Sequence, residues 1–166
     1  TASNGVLVFD GINDTVYTPY TTALDPTEGI TIEAWIYPTD ITTNRYQEIY
    51  RKEIGYARQL FSFQEFGTII SFGTQTATYD ELDLPITASN YLNKWNHFVA
   101  SYSSSFKAIY INGRLFGSST MTGSLVQGNA PYYIGSAYGS SEFFSGSMAS
   151  VKVYSRGLNA VSYTHL

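Results

Sequence analysis

Asp10-Gly11-Ile12-Asn13-Asp14 places three oxygen-bearing side chains in one tight turn. Hard oxygens are what Ca2+ gathers, roughly six to eight at a time. Asp10 and Asp14 are therefore the candidate metal ligands, against the alternative of a turn in which Asp and Asn bond their own backbone. Asp80-Glu81-Leu82-Asp83 is a second acidic cluster. The chain has no cysteine and two histidines, so zinc and iron lack their usual ligand clusters. Asn13-Asp14-Thr15 is also an N-x-Thr acceptor, and a glycan on Asn13 would compete with calcium for the same turn.

Glycoside hydrolysis needs two carboxyl groups, about 5 Å apart in a retaining enzyme. Glu33 is the nearest analogue, but Trp35 and Tyr37 stand where a second acid would be. It reads as a strand-face residue paired locally. His97 lies in Trp95-Asn96-His97-Phe98 with no serine or cysteine nucleophile marked beside it, so it reads as packing. No catalytic residue is assigned.

Sugar recognition asks for aromatic rings beside amides and charged groups, held on loops over a rigid scaffold. Asn44, Arg45 and Tyr46 follow Pro38. Tyr79 and Tyr91 bracket the acidic segment, and Tyr138 lies in the Gly- and Ser-rich stretch 135–141. These six are the candidate ligand contacts; Tyr133 and Phe144 are expected in the core.

The elements that must position them are strands. Ile30, Ile32, Ala34 and Ile36 alternate with Thr31, Glu33, Trp35 and Tyr37, the period of a strand with bulk on both faces. Such a strand belongs mid-sheet, covered on both sides, and Pro38 is expected to end it. Val6–Phe9, Thr15–Thr18, Gln47–Lys52, Tyr132–Gly135 and Phe144–Tyr154 read as further strands. Tyr56–Gln64 and Thr68–Gly73 read as a hairpin around Glu65-Phe66-Gly67. Phe98–Tyr102, Phe106–Ile111 and Arg114–Ser118 read as a meander whose Asn112-Gly113 corner suits a type I′ turn. Residues 80–93 are expected to form a loop. No segment sustains a 3.6-residue apolar period, and about a dozen antiparallel strands imply two stacked sheets.

At 166 residues the chain is one domain by length. Its fifteen tyrosines suit strands, and its glycines and serines suit turns. Only 13% of residues are charged, the net charge is −4, and nine Lys and Arg are scattered along the chain. That excludes a basic stripe for nucleic acid. No run of about 18 apolar residues offers a membrane span. The opening Thr1-Ala2-Ser3 has neither initiator Met nor apolar signal region, as expected of a piece cut from something longer.

Five segments then carry a likeness, in order: Val8-Phe9-Asp10-Gly11 with Asp14; Ile32 to Pro38; Trp95 to Ala100; Tyr110-Ile111-Asn112-Gly113; and Phe144 to Met148 running into Val151–Leu158. Together they resemble the laminin-G-like and pentraxin-like jelly rolls of the concanavalin A-like lectin/glucanase superfamily. The resemblance implies an all-β, two-sheet antiparallel sandwich over 1–160, working outside the cell or on a cell or virion surface. It also implies a glycan or an extracellular protein as partner. Two departures stand out. Ala149 and Ser150 follow Met148 where relatives carry acidic or polar residues, so the family's calcium site is not carried over intact. Residues 161–166 do not continue the pattern and are expected to be an artefactual or disordered tail. The expected function is a non-enzymatic recognition or adhesion module, favouring glycan through loop aromatics and amides. The alternative is a building block of a fibre, sheath or viral appendage that self-associates through its sandwich surface.

Overall fold

Ile30, Ile32, Ala34 and Ile36 are completely buried, so their alternation turns one face of a long strand into the protein. A computed structural model of the chain describes residues 2–3 and 5–158; the 161–166 segment lies outside them. Thirteen strands are present: β1 (Ala2–Ser3), β2 (Val6–Asp10), β3 (Val16–Thr18), β4 (Gly29–Asp40), β5 (Tyr46–Ile54), β6 (Ala57–Gln64), β7 (Ile69–Gln75), β8 (Tyr79–Pro85), β9 (Asn96–Ser103), β10 (Phe106–Ile111), β11 (Arg114–Ser119), β12 (Tyr132–Ile134) and β13 (Ser145–Tyr154). They pair antiparallel into a seven-stranded sheet, β1-β2-β13-β4-β9-β10-β11, and a six-stranded sheet, β3-β12-β5-β6-β7-β8. Among the described residues helix is limited to single 3-10 turns at Thr22–Leu24 and Ala88–Asn90, and none is long and apolar enough to cross a membrane.

One apolar core joins the two inner faces. Phe63 of β6 meets Phe98 of β9 edge-on at 5.5 Å and also lies over Phe144, which in turn meets Phe9. Two lysines enter this interior fully buried. Lys52 bonds the Asp25 carboxylate between the rings of Tyr20 and Tyr132. Asp25 also accepts from Gly128 N at 3.1 Å, and its carbonyl accepts from Gln127 at 2.8 Å. One ion pair thus pins two long loops to β5. Lys107 reaches the Asp80 carbonyl at 2.7 Å and its carboxylate at 2.9 Å, tying β10 of one sheet to β8 of the other.

Three expectations are corrected. β4 runs through Pro38 to Asp40. Its ladder to β9 stops at Ile36, so Pro38 is paired only with β13 and its missing N–H breaks no bond. Residues 80–85 of the expected loop belong instead to edge strand β8, with Leu82 turned inward and Tyr79, Glu81 and Asp83 outward. The outer face of β4 is covered at one end only. Thr31 lies under the chain at Arg156–Leu158, donating to Arg156 O at 2.9 Å, whereas Trp35 is 43% exposed. The Asn112-Gly113 corner has positive φ at both residues, 51° and 77°, as the type I′ reading requires.

Removing one partner of a buried ion pair strands the other charge. Asp25→Asn should therefore lower the unfolding free energy by about 3–5 kcal/mol, and adding Lys52→Met should recover part of the loss. Urea titration checks this; a single variant within about 1 kcal/mol of wild type would contradict the assignment.

Candidate functional site

The outer face of the six-stranded sheet should be its wet side, yet several polar residues there are buried. Glu48 and Arg51 of β5 are 1% and 5% exposed. A bulge at Ile49 sets their direction: Glu48 pairs with Ser62 and Arg51 with Leu60, while Tyr50 between them turns inward opposite Phe61. Glu48, Arg51, Arg58, Leu60, Gln64 and Glu81 line an open cavity of about 330 Å3, together with Tyr46 and Glu142. The face is a trough whose side chains cover one another.

Arg51 organises the floor. Its Nη1 donates to Glu48 at 2.9 Å and lies 3.9 Å from Glu142. Its Nη2 donates to Glu53 and, at 3.3 Å, to the Tyr138 hydroxyl. Its Nε is buried without a hydrogen-bond partner. Arg58 faces Glu53 at 3.1 Å and lies 4.4 Å above the Tyr79 ring. Tyr79 donates to Glu81, which also accepts from Gln64 and Ser71 at 3.1 and 2.9 Å. Ser71 lies 2.6 Å from Asp83. Gly73 makes room for this arrangement, because a Cβ there would strike the Tyr79 hydroxyl. At the rim, Arg45 forks onto Glu65, and Tyr46 donates to the same carboxylate at 3.3 Å.

Burial pushes the Glu48 carboxyl well above its ordinary range; Arg51 opposes this, and the hydrogen bond and charge of neighbouring Glu142 add to it. Glu48 N also donates to the Glu142 carbonyl at 3.0 Å, which holds the two residues side by side. Burial would lower Arg51, but Glu48, Tyr138 and Glu53 together raise it. Burial and the Glu81 bond both raise the Tyr79 phenol.

The structure brings Tyr46 into the trough wall, Tyr79 and Tyr138 against its two arginines, Arg45 to its rim, and Asn44 into the adjoining loop. It does not bring Tyr91, whose ring packs on Phe98 at 5.8 Å beside a separate hollow lined by Asn112 and Arg114. Phe144 is buried in the core, but Tyr133 is not: it faces outward between Tyr17 and Tyr138, because Tyr132 and Ile134 take the inward positions of β12. Asp10 accepts from Ile12 N and Asn13 N at 2.8 and 3.2 Å, and Asp14 from Asp10 N at 3.1 Å. These bonds to its own backbone hold Asp10 low. Among the described residues no three His, Cys, Asp or Glu come together at metal-binding separation. Asn13 is exposed. Glu33 and His97 pair at 3.1 Å on the outer face of the other sheet, where His97 stacks on Trp35. Glu48, Arg51, Arg58 and Glu142 carry no signature along the chain; their only trace is a β5 with polar residues on both faces.

A carboxyl whose folded pKa exceeds its unfolded value keeps its proton longer in the folded state, so stability falls as pH rises above about 4.5 and through the folded value. Glu142→Gln removes a negative neighbour. It should shift the Glu48 titration downward and shorten that fall, read by carboxyl 13C chemical shifts and by denaturation at several pH values. An unchanged Glu48 titration would contradict the pairing.

Comparison with known proteins returns the same architecture. Domain 4 of AbnA, an extracellular GH43 arabinanase from Geobacillus stearothermophilus solved with arabinotriose, superposes with a TM-score of 0.71 at 17% identity over 95% of this chain and 74% of that one. The native heptameric SAP-like pentraxin from Limulus polyphemus gives 0.66 at 16% identity, over 95% and 78%. The receptor binding domain of botulinum neurotoxin mosaic serotype C/D gives 0.75 at 15% identity, over 97% and 41%. This chain spans less than half the length of the botulinum binding domains it matches. At such identities the likeness establishes the fold. No curated protein matches. A family model described as the concanavalin A-like lectin/glucanases superfamily matches residues 10–161, and the chain belongs to that superfamily.

Proposed function

We propose that this domain is a non-enzymatic recognition module acting outside the cell, and that it holds a glycan in the trough of the six-stranded sheet. One observation carries the reading. A sheet face lined by charged groups keeps Arg51 almost completely buried, with an unpartnered N–H, among Tyr46, Tyr79 and Tyr138. Rings of this kind accept the C–H faces of sugars, and carboxylates and amides accept and donate to hydroxyls. The groups are already ordered by the sheet and by each other, so binding loses little entropy to arranging them. The neighbours support the same reading: one is a domain solved with arabinotriose, and others are receptor binding domains. Glu48 is 1% exposed with its carboxyl held by Arg51, a placement that suits holding a ligand-binding face in shape better than reaching a scissile bond.

A second reading, assembly through the sandwich surface, is favoured by a different observation. Trp35 and Trp95, the only tryptophans, stand 43% and 42% exposed on the outer face of the seven-stranded sheet. Trp35 stacks on His97 at 5.0 Å, and Trp95 meets Tyr37 edge-on at 5.7 Å. If this face drives assembly, light scattering will show concentration-dependent oligomers that Trp35→Ser abolishes; a monomer at all concentrations leaves the trough reading alone.

The trough reading is tested on a glycan array followed by titration of the best ligand. Tyr46→Ala and Tyr79→Ala should each weaken binding about tenfold or more, equivalent to about 1.4 kcal/mol. Gly73→Ala should do the same by displacing Tyr79. Parallel runs with EDTA test the calcium proposal at Asp10 and Asp14, which predicts lost binding on chelation. Unchanged affinity in all three variants would remove the trough as the site.

A further inference from the structure

We infer that the trough selects an uncharged, hydroxyl-rich glycan and turns away sialylated, sulfated or uronic-acid-bearing ones. This rests on the trough reading above and adds the ligand class. An anionic sugar needs a cation with a free face. Three guanidiniums reach the trough and its rim, and each is already committed: Arg45 to Glu65, Arg51 to Glu48, Glu53 and Glu142, and Arg58 to Glu53. The remaining faces of Arg51 and Arg58 lie against Tyr138 and Tyr79. Acids outnumber them, since Glu81 and Asp83 join Glu48, Glu53, Glu65 and Glu142 with only neutral donors such as Gln64 and Ser71 as partners.

A carboxylate accepts hydrogen bonds and offers none, so the floor suits hydroxyl donors. A sulfate or carboxylate would bring like charge to a surface with no counter-charge left to meet it. The unpartnered Nε of Arg51 adds one buried donor, matched to a ring or hydroxyl oxygen. Its guanidinium already faces Glu48, Glu53 and Glu142.

The test prints neutral oligosaccharide cores beside their own sialylated and 6-sulfated forms and titrates the full chain against each pair. The neutral core should bind at least about tenfold more tightly than its charged derivatives, with the ratio shrinking as salt screens the repulsion. Glu81→Gln should narrow the ratio by removing one negative charge, with thermal melts confirming that the variant folds. If anionic forms bind as well as or better than neutral ones and Tyr46→Ala weakens both, the inference is overturned while the trough remains the site. If Tyr46→Ala and Tyr79→Ala leave all binding unchanged, the trough reading fails and the inference falls with it.

Discussion

A guanidinium taken out of water must be surrounded by anions or it will not stay there. Arg51 imposes that constraint on the open face of the six-stranded sheet, and much of the local architecture answers it. The bulge at Ile49 puts Glu48 and Arg51 on one side despite their odd spacing. Chain after β12 folds back so that Tyr138 and Glu142 can reach the same group, and both hold left-handed φ values of 57° and 55° to do so. Removing Arg51 would leave three carboxyl groups facing each other with nothing between them. The network therefore specifies shape more than it adds stability.

The two faces of this sheet solve opposite problems with the same strands. Inward, Phe61, Phe63, Ile70 and Phe72 fill the space between the layers, where packing alone is required. Outward, Leu60, Ser62, Ser71 and Gly73 are small or flat enough to let long polar residues lie down across them. The buried ion pair Lys52–Asp25, and the contact of buried Lys107 with half-exposed Asp80, fasten the loops and the neighbouring sheet to this layer. A surface carried on such a frame is rigid by construction.

Much of the scaffold was legible along the chain because its signals are local. Alternation in β4, the 65–67 turn and Asn112-Gly113 each declare themselves within a few residues. β8 was not legible as a strand, because acids at 80, 81 and 83 look like loop, although Leu82 and Leu84 already keep the two-residue period. Tyr133 turns outward against expectation for a related reason: in a three-residue strand with adjacent tyrosines, only the partner strand decides which ring turns inward. Tyr46, Tyr79 and Tyr138 could be picked by residue type and loop position. Their companions Glu48, Arg51, Arg58 and Glu142 could not, since three separated segments and one bulge bring them together. Tyr91 shares the same chemistry and ends elsewhere, on the back of Phe98.

The placement of the two indoles has a spectroscopic consequence. Both tryptophans occupy the outer face of the seven-stranded sheet, with the whole thickness of the sandwich between them and the trough. Their emission will report the surroundings of that far side, where His97 lies against Trp35. A sugar settling over Tyr46 and Tyr79 would pass unseen at tryptophan wavelengths, and a silent fluorescence titration is what an occupied trough should produce.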